Sequence, residues 1–500
     1  MTPSRVVPPE GVAISTTTSR PILTPQLQKP ADSDGRYDSE MPRSVIALLI
    51  AGVLIAGALG FAVGRATGDR GAIGATPTST ATTATAAANT VPDSNTTTTE
   101  HDDDRREPET AAEAAADYEA AEGFSFEVFG WSHAFDETVF DFDGDGDLDI
   151  LIQIHNIGDD PIWLQTDDGF VPSGVALPWV AEEDWIGARD RHGCDAADID
   201  LDGDMDLYCS RGANQGRSAK SNELWIQDPP GTFTEYQGHG AEDFYGRGRA
   251  VVFLNLDGDA YPDLYVTNSL HERNDDLPNG NAVYRNNGDL TFSAVDTILS
   301  DYHGSNCTPA VGDWNGDGFD DLAICSEDVA VGEIYENDGA GGFIDATSLL
   351  DGNAPAGRLR DVELVDLNGD GWLDLVWIAP TMVEVYLNHP EDPETRFSER
   401  YFRLKLEEAP YAVAVADLNR DGVLDLYVAQ GGTGCSVTAD PPNGHDVVLL
   451  GPDFGRQMDA PFVRWGCARM AEAVGPEAVL IINGLGNNEG PFTIVRPSGD

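Results

Sequence analysis

The chain has 500 residues, and 87 acidic against 29 basic side chains give it a formal net charge of −58. This excess of negative charge excludes nucleic acid as a natural partner, because phosphate binding needs a basic surface. The length allows one large domain or several small ones with a sizeable core.

Three segments without a globular pattern come first. Residues 1–43 are polar and proline-rich, and we predict a disordered cytoplasmic tail. Residues 44–64 contain no charge and are long enough to span a bilayer as one helix. The long polar segment before them favours an uncleaved signal-anchor over a cleaved signal peptide, although the flanking arginines do not decide its orientation. Residues 65–122, rich in alanine, threonine and acidic residues, predict a disordered stalk.

Beyond residue 122 an acidic nine-residue segment recurs six times. The copies are DFDGDGDLD from Asp141, DIDLDGDMD from Asp198, NLDGDAYPD from Asn255, DWNGDGFDD from Asp313, DLNGDGWLD from Asp366 and DLNRDGVLD from Asp417. Their starts lie about 51 to 58 residues apart, a period typical of propellers and other repeat architectures.

Each copy alternates oxygen-bearing side chains in a way that predicts a cation site. Side chains at positions 1, 3, 5 and 9 and the backbone carbonyl of position 7 can converge on one hard cation, and Ca²⁺ takes six to eight such oxygens. An EF-hand is excluded, because position 12 never carries a carboxylate and strand-like segments flank each loop. Plain polar turns are the alternative, but six copies with Asp always at position 9 disfavour it.

We therefore predict up to six bound Ca²⁺ ions. The third loop is predicted to be the weakest, because it opens with a neutral residue and has Ala260 where glycine is expected. The predicted ligands, loop by loop, are Asp141, Asp143, Asp145, Asp147 and Asp149; Asp198, Asp200, Asp202, Asp204 and Asp206; Asn255, Asp257, Asp259, Tyr261 and Asp263; Asp313, Asn315, Asp317, Phe319 and Asp321; Asp366, Asn368, Asp370, Trp372 and Asp374; and Asp417, Asn419, Asp421, Val423 and Asp425.

The segments around the loops predict four β-strands per period, which is one propeller blade. Near the C-terminus, EAVLIINGLG and FTIVRPSGD match the second and third strands of a blade that has lost its acidic loop. GFSFEVFG (123–130) reads as a fourth strand that precedes any first strand. If it joins the last blade, the ring closes without an unpaired edge. Residues 123–500 are thus predicted to form an all-β, seven-bladed propeller.

These loops resemble the FG-GAP/VCBS repeats of integrin α-subunit propellers and of many bacterial surface proteins. The resemblance covers about residues 131–500 and implies a seven-bladed propeller whose loops bind Ca²⁺. It does not fix an activity, since such propellers include adhesion modules, enzyme accessory domains and some polysaccharide lyases.

The cysteines flank two of the loops. Cys194 and Cys209 bracket the second loop and Cys307 and Cys325 the fourth, so hairpin disulfides are one interpretation. Relative to the centre of its loop, one pair is offset by an odd number of residues and the other by an even number. At most one of the two pairs can therefore lie directly opposite each other in its hairpin. Cys435 and Cys467 would then form a third pair by elimination. Buried free thiols in a reducing compartment are the alternative.

Basic residues concentrate in the segments that enter the first strands, on the face opposite the acidic loops. This rim contains His133, Arg189, Arg191, His192, Arg247, Arg249, His303, Arg358 and Arg360, and the second-to-third strand connections add His155, Arg211, His271 and Arg273. One interpretation is ion pairing with nearby acids such as Asp190 and Asp361. The other is a cationic mouth for an anionic ligand, such as a uronic acid.

The chemistry predicts binding more strongly than catalysis. No histidine falls in HExxH and no serine in GxSxG, so no catalytic residue is assigned. We expect a single-pass membrane protein whose propeller lies outside the cytoplasm and recognises an extracellular glycan or protein ligand. The alternatives are a polysaccharide lyase that uses the Arg/His rim and a purely structural display scaffold.

Overall fold

The structure is a computed structural model. It describes residues 118–119, 121–132, 134–154, 159–178, 191–212, 221–244, 246–269, 280–301, 307–325, 331–397, 400–406, 409–431, 445–460, 462–463, 468–483 and 490–499. Within these ranges no helix is long and apolar enough to cross a membrane. The predicted tail, the transmembrane segment 44–64 and residues 65–117 of the predicted stalk lie outside the described residues.

In the described part of the chain, seven four-stranded antiparallel sheets form the propeller, one for each predicted blade. A two-residue strand, β1 (Tyr118–Glu119), and a longer strand, β2 (Phe124–Ser132), precede the first complete blade. Blades 1 to 3 are β3 (Ala134–Phe140), β4 (Asp149–Ile154), β5 (Asp160–Thr166) and β6 (Gly169–Leu177); β7 (Arg191–Ala197), β8 (Asp206–Arg211), β9 (Glu223–Gln227) and β10 (Phe233–Tyr236); and β11 (Gly248–Leu254), β12 (Asp263–Asn268), β13 (Ala282–Asn286) and β14 (Phe292–Val295).

The remaining blades repeat this order, and two short 3-10 helices, Ile298–Asp301 and Thr347–Leu350, follow β14 and β18. Blades 4 to 7 are β15 (Ala310–Gly312), β16 (Asp321–Cys325), β17 (Gly332–Asn337) and β18 (Phe343–Asp345); β19 (Asp361–Val365), β20 (Asp374–Ala379), β21 (Met382–Tyr386) and β22 (Arg400–Lys405); β23 (Pro410–Ala416), β24 (Asp425–Gln430), β25 (Val447–Leu450) and β26 (Arg456–Asp459); and β28 (Ala468–Ala473), β29 (Val479–Asn483) and β30 (Gly490–Pro497), completed by β2. The all-β, seven-bladed prediction is confirmed.

The ring closes through the N-terminal strand, as the sequence predicts. β2 pairs antiparallel with β30, from Phe124 opposite Pro497 to Ser132 opposite Gly490. The last blade therefore takes one strand from each end of the propeller and leaves no open sheet edge at the junction. β1 also pairs with β27 (Phe462–Val463), so described structure begins before the predicted boundary at residue 123.

The apolar core is divided among the interfaces between blades. Seven clusters of buried side chains occupy the described residues, and each joins two neighbouring sheets. One of them packs Ile150 and Ile152 of blade 1 against Leu480 and Ile482 of blade 7, so the closing junction is packed like the others. Central strands are buried on both faces because each sheet lies between two others, which explains their continuous apolar runs.

Two disulfides staple first strands to second strands, as one interpretation of the sequence predicts. Cys194 lies directly opposite Cys209, with the Cα atoms 4.0 Å apart. Cys307, three residues before β15, pairs with Cys325 at the end of β16, with the Cα atoms 5.8 Å apart. It is one residue out of direct opposition, because Ala310 is opposite Ala323. The two registers differ, as the spacing requires. Cys435 and Cys467 lie outside the described residues.

Candidate metal loops and axial channel

The six acidic loops connect the first and second strands of blades 1 to 6 and share a backbone feature at position 4. Position 4 has a positive φ in every loop, which glycine adopts readily, yet Leu201 (φ 62°) and Arg420 (φ 60°) occupy it in two of them. Position 6 also has a positive φ in the five loops with glycine there, from 84° in Gly422 to 100° in Gly203. Ala260 is not among these residues, so the third loop departs from the others where the sequence predicts.

The residue at position 1 organises each loop. Asp313 Oδ1 accepts hydrogen bonds from the backbone N–H groups of Gly316 (2.6 Å) and Asp317 (3.0 Å), and its Oδ2 accepts one from Gly318 (2.9 Å). In the third loop, by contrast, Asn255 Oδ1 accepts a bond from Gly258 (2.8 Å), and its Nδ2 donates to Gly318 O of the next blade (3.3 Å). That amide is therefore partly engaged between blades.

Carboxylates converge most clearly in the first two loops. Oxygens of Asp141, Asp143 and Asp149 lie within 4.8 Å of one another, and so do those of Asp198, Asp200 and Asp202. Asp200 Oδ1 is buried and accepts no hydrogen bond. Hard anionic oxygens at this spacing, one of them without a donor, fit a calcium ion better than a soft transition metal.

Position 9 has a second role that the sequence did not reveal. Each of these aspartates is at most 1% exposed, and in five loops its Oδ2 accepts the backbone N–H of position 2, as in Asp374 with Leu367 at 3.1 Å. Its Oδ1 accepts a backbone N–H at or just after the end of the third strand, as with Asn388 at 2.8 Å. The carboxylate therefore ties the loop to the interior of its own blade. In the fourth loop Asp321 Oδ2 is buried without a donor.

Burial raises the pKa of all six position-9 carboxyls, because desolvation disfavours the charged form more than the backbone donors favour it. The pKa values rise to about 6 for Asp149, Asp263, Asp374 and Asp425, to about 7 for Asp206 and to about 8 for Asp321. A bound dication would counter this effect, since opposite charge stabilises the carboxylate.

The described arginines of the predicted rim are not equivalent. Arg191 is fully buried; its Nη1 pairs with Asp160, and its Nε (2.8 Å) and Nη2 (2.5 Å) donate to Glu223 Oε2. Arg211 Nη1 donates to the other oxygen of Glu223 at 2.7 Å. These two arginines hold buried acids, so the ion-pair interpretation describes them and Arg191 does not line an open mouth.

The other described rim residues range from buried to exposed. His192 is 4% exposed, with Nδ1 lying 2.9 Å from Arg249 Nη1. Arg360 Nη1 donates to Pro410 O at 2.6 Å, and its guanidinium lies 5.2 Å from the centre of the Tyr411 ring. Arg358 is exposed, and Arg247 is partly buried. His133, Arg189, His303, His155, His271 and Arg273 lie outside the described residues.

An axial channel of about 1040 Å³ runs between the first strands of all seven blades. Three arginines line it, but so do six carboxylates, of which the sequence analysis named only Asp361: Asp136, Glu137, Asp195, Asp361, Glu363 and Glu472. Burial and mutual repulsion raise the pKa values of Glu137 and Glu363 well above the usual range. The channel lining is thus more acidic than basic.

Some of these acids also join neighbouring blades. Asp195 Oδ2 accepts the N–H of Phe253 in the next blade at 2.8 Å, and Asp361 Oδ2 accepts that of Val413 at 2.9 Å. Glu472 is enclosed by protein yet remains in contact with water inside the channel.

Comparison with known proteins agrees with the loop geometry. Residues 270–324, 313–377 and 366–428 each match the FG-GAP-like repeat, and these stretches contain the fourth, fifth and sixth loops. The chain is a seven-bladed propeller that contains FG-GAP-like repeats. A search of curated proteins gave no match to this FG-GAP propeller.

Several solved structures match this chain at low identity. Two crystal structures of BBS1N in complex with ARL6DN, soaked with lead and with mercury, each show 10% identity and a TM-score of 0.46, covering 76% and 75% of this chain and 97% of theirs. An Agrocybe aegerita lectin described as recognising non-reducing terminal N-acetylglucosamine shows 17% identity and a TM-score of 0.41, covering 67% of this chain and 81% of its own. At these values the likeness carries no argument about function.

One set of residues in the FG-GAP propeller escaped the sequence analysis although a signal for it exists. At or close to the ends of the third strands of blades 1 to 5, an aromatic residue is followed by any residue and then a side-chain amide. The amides are Gln165, Gln227, Asn286, Asn337 and Asn388. The last four are at most 2% exposed, and each donates a hydrogen bond to the acidic loop of the preceding blade.

Proposed function

We propose that this FG-GAP propeller is a calcium-binding recognition module. The observation that carries the proposal is the convergence of carboxylate oxygens within 4.8 Å in the first two loops, with one buried oxygen that accepts no hydrogen bond. The other four loops repeat the same ligand types, and position 4 has a positive φ in all six. Calcium would neutralise carboxylates that otherwise repel one another on a chain with a net charge of −58.

The proposed location is outside the cytoplasm, with residues 44–64 as a single membrane anchor. Their 21 uncharged residues support the anchor. The pairs Cys194–Cys209 and Cys307–Cys325 support an oxidising compartment. Extracellular fluid is also where weak calcium modules are saturated, since affinities of about 10⁻⁴–10⁻³ M are typical there.

The arginines that would bind an acidic glycan differ in their surroundings. Of the arginines that would form a cationic mouth, Arg191 is fully engaged with buried acids. Arg249, Arg358 and Arg360 line the channel, but six carboxylates share it. An anionic ligand is therefore more favourable beside the exposed Arg358 than beside the six carboxylates of the channel.

Calcium titration of the full chain tests the proposal. We expect EDTA to lower the melting temperature and Ca²⁺ to restore it far better than Mg²⁺, because each saturated site adds about 2.7 kcal/mol at a hundredfold excess over Kd. Asp202→Asn should remove one ion from the stoichiometry measured by calorimetry. Asp168→Asn, an exposed acid outside the loops, is the matched control and should leave it unchanged. An identical melting curve with and without EDTA would rule out the calcium assignment.

A further inference from the structure

The buried amides that end the third strands connect neighbouring metal loops. Asn286 Nδ2 donates to Ile199 O in the second loop at 3.0 Å, and Asn388 Nδ2 donates to Trp314 O in the fourth at 2.8 Å. Gln227 Nε2 reaches Phe142 O in the first loop at 3.3 Å. In each case the acceptor is position 2, between the two ligand positions 1 and 3.

The same amide residues also contact the loop of their own blade. The backbone N–H of Asn286 donates to Asp263 Oδ1 at 2.8 Å, and that of Asn388 donates to Asp374 Oδ1 at 2.8 Å. The other oxygen of each of these aspartates holds position 2 of its own loop, at Leu256 (3.0 Å) and Leu367 (3.1 Å). A continuous set of hydrogen bonds therefore runs from position 2 of one loop to position 2 of the next, except from the third loop to the fourth, where Asp321 Oδ2 has no donor.

Further hydrogen bonds hold these side-chain amides in place, so a movement of one loop would be passed through the amide to the next loop. Asn286 Oδ1 accepts the N–H of Gly288 at 2.9 Å, and Asn337 Oδ1 accepts that of Gly339 at 3.0 Å. Asn337 Nδ2 in addition donates to Leu256 O at 3.1 Å and to Asp320 O at 3.2 Å, which lie in the third and fourth loops. This one side chain therefore donates hydrogen bonds to two loops.

Aromatic side chains at position 7 make a second contact between loops. A Cβ placed on Gly258 of the third loop would lie 3.0 Å from the Phe319 ring of the fourth. One placed on Gly316 of the fourth loop would lie 2.8 Å from the Trp372 ring of the fifth. Each ring thus covers the residue at position 4 of the preceding loop.

The set of contacts is interrupted at both ends. In blade 6 the equivalent residue is Gly451, which gives its backbone N–H to Asp425 Oδ1 at 2.9 Å but has no side chain to reach the fifth loop. In blade 1 the equivalent amide belongs to Gln165, and the preceding blade 7 has the turn VGPEA in place of an acidic loop. The amide contacts therefore join loops 1 to 5 and leave loop 6 outside.

We propose that Gln227, Asn286, Asn337 and Asn388 are positioning residues that couple the metal loops of blades 1 to 5, so that an ion in one loop raises the affinity of the next. This inference rests on the proposed calcium binding. An ion that fixes positions 1 and 3 also fixes the position 2 carbonyl, the amide bonded to it and the buried aspartate of the following loop. Coupling between sites commonly changes affinity about five- to 150-fold.

Terbium luminescence of the full chain tests the coupling, because only the fourth and fifth loops contain tryptophan, at Trp314 and Trp372. Tb³⁺ replaces Ca²⁺ at oxygen sites and emits when a nearby indole is excited. We expect a steep titration for the unmodified chain. Asn388→Ala should flatten it and raise the midpoint for the fifth loop about fivefold or more. Asp317→Ala, which disables the fourth loop but keeps the amide, should raise that midpoint by a similar factor, and the double variant should add little.

Two variants serve as controls. Gln165→Ala removes the equivalent amide in blade 1, whose preceding blade 7 has no acidic loop. Asp421→Ala disables the sixth loop, which no amide connects to the fifth because Gly451 takes that place in blade 6. Neither should move the terbium midpoint. Unchanged midpoints in Asn388→Ala and Asp317→Ala would overturn the coupling while leaving calcium binding intact. If Asn388→Ala fails to fold, Asp317→Ala alone decides. No luminescence from the unmodified chain would instead overturn calcium binding in these loops, and the coupling with it.

Discussion

Replacing Arg191 tests whether the basic residues before the first strands serve stability or ligand binding. Arg191 is fully buried between Asp160 and Glu223, which are at most 2% exposed. Among the described residues, Arg191→Ala leaves Asp160 with the N–H of Ile154 (2.7 Å) as its hydrogen-bond donor, whereas Glu223 keeps Arg211 (2.7 Å). Breaking a buried pair from one side typically costs about 3–5 kcal/mol, so we expect a loss of that size in the free energy of unfolding.

The pH dependence of this loss has a definite sign. Burial already raises the pKa of Asp160 to about 6 despite Arg191, and removing the guanidinium raises it further. When a carboxyl has a higher pKa in the folded than in the unfolded state, the free energy of unfolding decreases as the pH rises between the two pKa values. The total decrease is about 1.4 kcal/mol for each pH unit that separates them. The variant should therefore be closest to the unmodified chain near pH 5 and furthest from it near pH 8.

Urea unfolding followed by tryptophan fluorescence, with saturating Ca²⁺ at both pH values, measures the effect. Arg358→Ala is the matched control, because this exposed arginine of the same rim should change stability by no more than about 0.5 kcal/mol. The reasoning fails if Arg191→Ala unfolds within about 1 kcal/mol of the unmodified chain, the net contribution of one ordinary hydrogen bond. It also fails if the two arginine variants lose the same stability.

Two further predictions concern closure and the disulfides. Deleting residues 121–132 removes β2 and exposes the edge of β30, so we expect aggregation or loss of cooperative melting. Deleting residues 65–112 should have neither effect. Equal melting of both truncated chains would contradict closure of the ring through β2. Reducing agent should destabilise the chain by about 3 kcal/mol for each of Cys194–Cys209 and Cys307–Cys325, which close loops of 15 and 18 residues, and Cys→Ser pairs should abolish the corresponding response. A melting temperature insensitive to reductant would indicate free thiols.

Most of the fold could be predicted because short sequence patterns that repeat along the chain specify it. Six acidic loops of fixed length, apolar runs around them and a period of about 54 residues together predict blades. The closing strand was predictable because GFSFEVFG lacks a sheet of its own, and β2 occupies the expected place beside β30. The parity of the cysteine spacings also anticipated the different registers of the two disulfides.

The site was harder to predict because its contacts join blades. Burial of Arg191 depends on Asp160 in the preceding blade and on Glu223 two strands later, and neither is marked in the local sequence. The axial acids look like ordinary polar positions of an alternating strand, since only ring closure brings Glu137 and Glu472 together. The amide series has a readable pattern, but its partners lie 74 to 87 residues away in the chain.

The pairing of β2 with β30 has a consequence for how the molecule reaches its folded state. Phe124 and Pro497 are neighbours in space but lie at opposite ends of the propeller sequence, so this sheet has by far the highest contact order of the seven. Each of the other blades can assemble from one contiguous stretch, whereas this sheet can form only after its C-terminal strands have been synthesised. Until then β2 is an unpaired strand. Whether the incomplete chain avoids aggregation therefore depends on the solubility of β2 and on any factor that shields this strand.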